Sequence, residues 1–292
     1  MKQDDTALHL PVFYSPPGAV AVDLDGTLLN SRSELSARNR QAIETCLSTG
    51  IPVIIATSRP ARAARRFLGD DLADSCSLVL QNGAIAIAAP PLAGRYCETL
   101  SSSLAVDIIE TILRMEPETR VTIEIEGYRF GTNRPRTPDE LWRFNSATPD
   151  MQVSLEAALS ESPTKIAAGG LDRDITHIAA ALSERFNSSV SVVPADGLTF
   201  LNITAANATK PGAIRRLLAS RGTLLENVVA FGDDIPDIDM LAACGTAIAM
   251  GNSFPDVKAV CDYFTLSNDE DGVAVALEYL LEGIAPGGKS DL

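Results

Sequence analysis

Two aspartates separated by a single residue, Asp23 and Asp25, have the spacing of a catalytic pair. They lie in a DLDGT segment at 23–27, directly after the apolar run 19–22. In a turn after a strand both carboxylates can face one crevice, and Gly26 permits a backbone conformation that other residues resist. One carboxylate can then attack as a nucleophile while the other transfers protons. An ordinary Asp/Gly turn is the alternative that this segment alone leaves open.

Two more polar clusters stand where predicted helices begin. Thr57, Ser58 and Arg59 precede a helix predicted from Pro60. A hydroxyl and free backbone N–H groups at a helix N-terminus form a natural phosphate site, although simple helix capping explains the same residues. Lys210 precedes another predicted helix and, in isolation, indicates no more than a solvated surface charge.

An acidic segment, Gly232 to Asp237, follows a further apolar run and supplies three carboxylates. Acidic residues also favour the first turn of a helix, so capping competes with any chemical role. Together with Asp23 and Asp25, these hard oxygen ligands suit Mg²⁺, which keeps several waters in its octahedron.

The clusters follow or flank apolar runs rich in β-branched residues, which are typical of buried strands. Such runs alternate with amphipathic segments that predict helices at 36–49, 60–72 and 211–221. The alternation predicts an α/β fold with a doubly wound, Rossmann-like parallel sheet. Ligands of such a sheet bind outside the carboxyl ends of its strands.

The middle of the chain follows a different pattern, with period-two alternation such as Val121 to Glu126. Alternation of this kind predicts half-exposed antiparallel strands, and helical segments lie between them. We therefore expect an inserted α+β domain, joined to the core by linkers at 88–91 and 205–208. The expected division is an N-terminal extension 1–17, a core domain 18–89 and 205–284, an inserted domain 90–204, and a flexible tail 285–292.

Taken in order, the four clusters resemble the signature elements of the haloacid dehalogenase (HAD) superfamily over nearly the whole chain. The DLDGT segment, Thr57, Lys210 and the acidic segment each match one element. The inserted domain resembles that of the Cof-like branch, subfamily IIB. Two more stretches match that branch, Gln81-Asn82-Gly83-Ala84 and Met250-Gly251-Asn252 with 267–273 downstream.

The resemblance implies a Mg²⁺-dependent phosphatase acting on a small phosphate monoester, such as a sugar phosphate, through an aspartyl phosphate. Asp23 is the implied nucleophile, Asp25 the acid–base group, and Lys210 a group that holds the phosphoryl oxygens. The implied phosphate- or substrate-binding residues are Thr57, Ser58, Arg59, Asn82, Gly83 and Asn252. The implied metal ligands are Asp23, Asp25 through its carbonyl, Asp233 and Asp237, the last of which orients Lys210 or a metal-bound water.

The sequence departs from the family pattern at two positions. Ser58 replaces a usual glycine but still offers its backbone N–H, and Pro236 replaces a usual asparagine in the acidic segment. Pro236 removes an amide that typically supports the metal site or the lysine, a role that Asn252 or water can take. Two alternatives therefore stay open: a phosphomutase on the same scaffold, and a catalytically weakened phosphate-binding protein.

Composition narrows the choice of partners. The net charge of −14 argues against nucleic acid or an anionic membrane, and 5% aromatic residues argue against base-stacking platforms. A small phosphorylated metabolite needs only one local group of cations. The arginines 129, 134, 136 and 143 of the insertion are candidates for gripping a second anionic group, against the alternative of solvated charges.

The remaining sequence features set default expectations. Five scattered cysteines form no CxxC pair, so neither a disulfide framework nor a thiolate zinc site is expected. The first residues lack the apolar core of a signal peptide, and no run of about 20 apolar residues occurs. We expect a cytoplasmic protein that is a monomer or a homodimer.

Overall fold

The computed structural model describes residues 8–170, 173–195 and 198–284, which form two sheets. The strands are β1 Ala19–Val22, β2 Val53–Ala56, β3 Ser77–Leu80, β4 Ile85–Ile87, β5 Arg95–Cys97, β6 Arg120–Ile125, β7 Arg129–Thr132, β8 Gln152–Val153, β9 Lys165–Gly169, β10 Val190–Ala195, β11 Phe200–Ala205, β12 Val228–Gly232, β13 Thr246–Ala249 and β14 Tyr263–Phe264. The helices are α1 Ala37–Ser48, α2 Ala61–Leu68, α3 Asp70–Ser75, α4 Ser102–Met115, α5 Pro138–Glu140, α6 Leu155–Ser160, α7 Thr176–Phe186, α8 Lys210–Leu218, α9 Ile238–Ala243, α10 Pro255–Lys258 and α11 Gly272–Ile284. A short π-helical stretch covers Leu141–Asn145.

The first sheet, called the core sheet, has the order β14-β13-β12-β1-β2-β3-β4-β5. Its strands from β14 to β3 run parallel, and β4 and β5 add an antiparallel edge. Alternate residues of β1 join different apolar clusters. Val20 and Val22 pack with α1, α2 and α11, whereas Ala19 and Ala21 pack with α8 and α9. Helices therefore cover both faces, and the predicted doubly wound sheet is confirmed.

The second sheet, called the cap sheet, has the order β10-β11-β9-β6-β7-β8 and is antiparallel except between β7 and β8. The predicted alternation in β6 is realised. Val121, Ile123 and Ile125 pack beneath α4 and α7. Arg120, Thr122 and Glu124, by contrast, line a cavity on the opposite face. The α+β character expected for the insertion is confirmed.

Some local expectations were wrong. Residues 88–91 are not a linker between the sheets, because they lie in the connection from β4 to β5 of the core sheet. The expected boundary at residue 90 therefore falls inside a hairpin of the core sheet. The helix predicted at 60–72 is broken at Gly69, whose φ of +80° ends α2 and precedes α3. The tail expected at 285–292 lies outside the described residues.

The described part of the N-terminal extension packs against the core sheet. His9 exchanges two backbone hydrogen bonds with Phe264 of β14, at 2.9 and 2.8 Å. Phe13 contacts the apolar cluster around α1 and α11. Within the described residues, none of the helices has the length and apolar character needed to cross a bilayer.

Candidate active site

Asp23 lies at the carboxyl end of β1, at the centre of the core sheet. Its backbone N–H donates to the carbonyl of Phe231 in β12 at 3.1 Å, which continues the ladder for one residue beyond the strand. The side chain is only 9% exposed. A buried carboxylate requires a charged or hydrogen-bonding partner, because an isolated ion is costly away from water.

Lys210 is that partner. Thr209 caps α8 by accepting a hydrogen bond from the Gly212 N–H, which fixes the first turn that carries Lys210. The Lys210 Nζ donates to Asp23 Oδ1 and to Asp237 Oδ1, both at 2.6 Å. Burial alone would lower the pKa of Lys210, but the charges of Asp23 and Asp237 outweigh it and raise that pKa.

The acidic segment completes the group. Asp233 directly follows β12, and a 3-10 turn, Ile235–Asp237, follows it with Pro236 in its first positions, where proline is tolerated. Asp237 is buried, and its Oδ2 accepts the N–H groups of Asp233 and Asp234 at 3.1 and 3.2 Å. Asp237 therefore holds both the turn and Lys210. We call Asp23, Asp233, Asp237 and Lys210 the catalytic cluster.

The turn after Asp23 brings its backbone against Asp233. Gly26 has a φ of +76°, and a Cβ at this position would lie 2.3 Å from Asp233 Oδ2. The glycine is therefore needed both for the turn and for the close approach. Thr27 is buried and donates its hydroxyl to Asp233 Oδ1 at 2.7 Å.

The donor set of this cluster fits a divalent metal ion. Carboxylate oxygens of Asp23, Asp233 and Asp237 all lie within 4.8 Å of one another. Burial, followed by repulsion from Asp237, raises the pKa of Asp23 well above its usual value. Burial also raises the pKa of Asp233 to about 7, although the Thr27 hydrogen bond opposes the shift. A hard divalent cation offsets this excess of buried negative charge and prefers oxygen ligands.

Asp25 is separate from these three carboxylates. Arg59 binds it in a bidentate ion pair, with Nε to Oδ2 and Nη2 to Oδ1 both at 2.6 Å. The Asp25 side chain is 42% exposed, so it reaches solvent where Asp23 does not. Its carboxylate is therefore free of the metal group, and only its backbone carbonyl, as the family resemblance implies, remains a candidate ligand.

The segment after β2 lies beside this pair. Thr57 is buried, and its Oγ1 accepts the Arg59 N–H at 3.1 Å, which holds the turn. Ser58 lines the cavity, and its carbonyl accepts a hydrogen bond at 3.0 Å from Lys165 of the cap sheet. A basic side chain of the insertion therefore touches the predicted phosphate loop.

The two additional family matches have different surroundings. Gly83 lies against the cap of α8, where a Cβ would come within 2.2 Å of the Thr209 carbonyl oxygen. Asn82 is buried beside it and does not line the cavity. Asn252 donates its Nδ2 to the Gly26 carbonyl at 2.8 Å and lies 3.4 Å from Asp233 Oδ2. An amide therefore does support Asp233, although Pro236 supplies none.

A cavity of about 420 Å³ separates the two sheets. Asp25, Ser58 and Arg59 line its core side, whereas Asp23 does not reach its wall. Its lining also includes an ion pair between the core sheet's helix α2 and the cap sheet, which the sequence did not predict. Arg62 of α2 binds both carboxylate oxygens of Glu124 at 2.6 and 2.7 Å, and the side chains are 3% and 6% exposed. Only the docking of the sheets reveals this pair, because the two residues lie 62 positions apart.

The four candidate arginines of the insertion divide into two groups. Arg129 and Arg134 are paired with Glu161 and Glu118 outside the cavity. Arg136 and Arg143 line the cavity, as the hypothesis of a second anion site requires. Arg120, which the sequence analysis passed over, lines it with them.

Comparison with known proteins identifies the family. The family model described as haloacid dehalogenase-like hydrolase matches residues 20–277, most of the chain. The chain belongs to this family. Among similar HAD-like proteins, Phosphatase YwpJ of Bacillus subtilis is 28% identical over 284 residues, covering 90% of this chain and 99% of its own. The B. subtilis protein named 5-amino-6-(5-phospho-D-ribitylamino)uracil phosphatase YcsE is 27% identical over 260 residues, covering 89% and 94%.

Solved structures agree on the HAD fold. A haloacid dehalogenase-like hydrolase from Bacteroides thetaiotaomicron matches with a TM-score of 0.76 and 25% identity, covering 90% of this chain and 98% of its own. The subclass IIB sugar phosphatase BT4131 matches in fold with a TM-score of 0.74 at 22% identity, covering 89% and 98%. The predicted HAD core with a subfamily IIB insertion is confirmed, and the protein is a hydrolase of this family.

Proposed function

We propose that the protein is a Mg²⁺-dependent phosphatase that hydrolyses a small phosphate monoester through an aspartyl phosphate on Asp23. The observation that carries the proposal is the buried contact of Lys210 with both Asp23 and Asp237 at the carboxyl ends of β1 and β12. A buried nucleophile held by a lysine, beside a set of metal-binding oxygens, suits attack on a charged phosphorus centre. Several similar HAD-like proteins are named phosphatases.

In the first step an Asp23 oxygen forms a bond to phosphorus, and the bond from phosphorus to the ester oxygen breaks. Asp25 gives its proton to that leaving oxygen. In the second step Asp25 takes a proton from water, whose oxygen bonds to phosphorus as the bond from phosphorus to the Asp23 oxygen breaks. Because both Asp25 oxygens accept hydrogen bonds from Arg59, at least one must be exchanged for the substrate oxygen. The products are the alcohol and inorganic phosphate.

The other side chains bind and orient the phosphoryl group. Lys210 lies 2.6 Å from the Asp23 carboxylate and is placed to neutralise a phosphoryl oxygen during attack. Asp237 holds Lys210 in that position. When bound by Asp23, Asp233 and the Asp25 carbonyl, Mg²⁺ supplies the positive charge that offsets repulsion between carboxylates and phosphate.

Substitution at Asp23 tests this proposal. We expect Asp23→Asn to lower the kcat for phosphate release by at least about 10⁴-fold, because it removes the nucleophile. Asp239→Asn, which changes an exposed carboxylate two residues beyond Asp237, is the matched control and should retain activity. Equal activity in both variants would contradict the proposal.

Two further measurements separate the alternatives. Removal of metal by a chelator should abolish phosphate release, and added Mg²⁺ should restore it. Product analysis with hexose phosphates distinguishes free phosphate, the expected product, from an isomerised ester made by a phosphomutase. Absence of turnover on a broad panel of esters would favour the phosphate-binding alternative. The cytoplasmic location stays a prediction.

A further inference from the structure

The cavity-facing side of the cap sheet is organised in three rows. The register pairs Glu124 with Lys165, Thr122 with Ala167, and Arg120 with Gly169. On the far side of β9, Asn202 pairs with Ala167 and continues the middle row. Because a strand rises about 3.3 Å per residue, the first and last rows are separated by about 13 Å.

The first row marks the phosphate end of the cavity. Lys165 donates to the Ser58 carbonyl, beside Arg59 and its partner Asp25. Glu124 in the same row is neutralised by Arg62 of the core. The opposite row, at Arg120, is therefore the end remote from the reacting phosphate.

Three arginines of the insertion make the cavity cationic, and Arg120 stands in its last row. Arg120, Arg136 and Arg143, called the cap arginines, all line the cavity. Arg136 and Arg143 lie over the same Phe144 ring, at 4.9 and 5.3 Å from its centroid. Burial and then the charge of Arg120 lower the pKa of Arg136, against an opposing attraction to Glu140, so the Arg120 and Arg136 guanidinium groups repel one another.

Among the described residues, the cap arginines lack the carboxylate partners that Arg129 and Arg134 have. Within the described ranges, no carboxylate lies within 4 Å of any cap arginine, whereas Arg129 and Arg134 each form an ion pair. The hydrogen bonds of Arg120 and Arg136 go to the neutral acceptors Arg134 O and Asn145 Oδ1. Glu140 attracts Arg120 and Arg136 beyond ion-pair distance. Three grouped cations without a directly paired carboxylate are unusual in a chain with a net charge of −14.

The middle row adds an independent sign of a ligand. Asn202 lines the cavity and is 5% exposed, and its Oδ1 has no hydrogen-bond partner among the described residues. Buried amide groups are normally satisfied, and a substrate hydroxyl supplies what this one lacks. Thr122 stands two positions away across the same row.

We propose that the substrate is a hydroxylated phosphate monoester whose opposite end carries a second anionic group, a carboxylate or phosphate, bound by the cap arginines. The inference rests on the proposed phosphatase function and specifies its substrate class. The reacting phosphate lies at the Ser58 end, hydroxyls face Asn202, and the second anion lies at the Arg120 end. Guanidinium groups suit this task because they bind carboxylate and phosphate in a fork-like geometry.

The test compares matched substrates that differ at the remote end. For glucitol 6-phosphate and 6-phosphogluconate, open chains that differ only in a terminal alcohol or carboxylate, we expect the wild type to prefer the acid in kcat/KM by about tenfold or more. Glucose 1,6-bisphosphate, compared with glucose 6-phosphate, provides the arm with a second phosphate, and the larger preference for a probe with two anionic groups over its parent ester identifies the preferred group. Arg136→Gln should reduce the preference by about tenfold, the lower end of the range for losing a charge-assisted hydrogen bond. Arg143→Gln should reduce it too, without the loss of a hydrogen bond within the protein.

Arg129→Gln and Arg134→Gln are the matched controls, and both should keep the wild-type preference. The inference is overturned if the wild type treats the matched substrates alike, even when it hydrolyses both. If neither ester is hydrolysed, the proposed function fails for them, and calorimetric Kd values of the Asp23→Asn variant decide the anion site. A tighter Kd for 6-phosphogluconate that Arg143→Gln abolishes supports the site, and equal Kd values contradict it.

Discussion

The core sheet and the cap sheet differ in how their charged side chains are arranged. At the carboxyl ends of the core strands, three buried carboxylates lie within 4.8 Å of one another, and Lys210 binds two of them. On the open face of the cap sheet, Lys165 and Arg120 stand in rows about 13 Å apart, with the neutral Thr122 and Ala167 between them. The first arrangement concentrates charge around one reacting centre, whereas the second spreads charge along a length. A reaction takes place at one atom and suits the clustered charges of the core sheet. Recognition of a substrate involves several contacts along its length and suits the spaced side chains of the cap sheet.

Removal of the cation from the catalytic cluster is the strongest test of this division. We expect Lys210→Met to lower kcat by about 10² to 10³-fold, because the lysine stabilises charge during attack. Lys258→Met is the control and should leave kcat unchanged, since the side-chain hydrogen bond of Lys258 among the described residues goes to the Gly251 carbonyl. Steady-state phosphate release measures both. A fall confined to substrate affinity would place Lys210 with recognition and break the comparison.

The buried Arg62–Glu124 pair between the sheets should affect the stability of the fold more than the rate of the reaction. Glu124→Gln leaves the Arg62 charge buried without its counter-ion, so we expect a loss of about 3–5 kcal/mol in the free energy of unfolding. Glu161→Gln breaks the exposed pair with Arg129 and should leave stability unchanged within error. Equilibrium urea unfolding provides the measurement. Similar free energies of unfolding for the two variants would show that the buried pair does not stabilise the contact between the sheets.

The close approach around Asp233 offers a matched glycine pair. We expect Gly26→Ala to cost about 1–3 kcal/mol of stability and to lower kcat about 10- to 100-fold, because its Cβ meets Asp233 Oδ2. Gly50→Ala shares the positive φ, at +85°, but has nothing within 4 Å of its Cβ. It should show the backbone cost in thermal unfolding while kcat stays at the wild-type value. A loss of activity in both would assign the effect to strain alone.

The smallest expected effect concerns the amide beside Asp233. Asn252→Ala removes hydrogen bonds to the Gly26 carbonyl and to Asp233, and we expect a roughly tenfold weaker apparent affinity for Mg²⁺. Activity measured against Mg²⁺ concentration gives that value. The exposed Asn227→Ala is the control. An unchanged Mg²⁺ response in Asn252→Ala would remove this residue from the support of the metal site.

The catalytic cluster could be predicted from the sequence because neighbouring parallel strands place their carboxyl ends side by side. Asp23 and Asp233 follow strands that are neighbours in the core sheet, so their carboxyl ends must meet. Their roles stay predictions. The Arg62–Glu124 pair and the place of Arg120 were not predictable, since both depend on how the cap sheet docks. Nor did the motif around Gly83 reveal its contact, which is with the helix cap at Thr209 rather than with the cavity.

The boundary of the insertion illustrates the same limit. Residues 88–91 have the composition of a linker, yet they connect two strands at the edge of the core sheet. Local composition indicates a turn equally well in both cases, and strand pairing across the turn decides which one forms.

The most direct test of the account is a search for phosphate on Asp23 itself. Enzyme turning over substrate with Mg²⁺ is quenched in acid, reduced with borohydride, and digested, and the peptide containing the DLDGT segment is examined by mass spectrometry. If Asp23 is the nucleophile, we expect a phosphorylated peptide before reduction and homoserine at position 23 after it, with neither in Asp23→Asn. Steady turnover without modification at position 23, or with modification at Asp25, would contradict it.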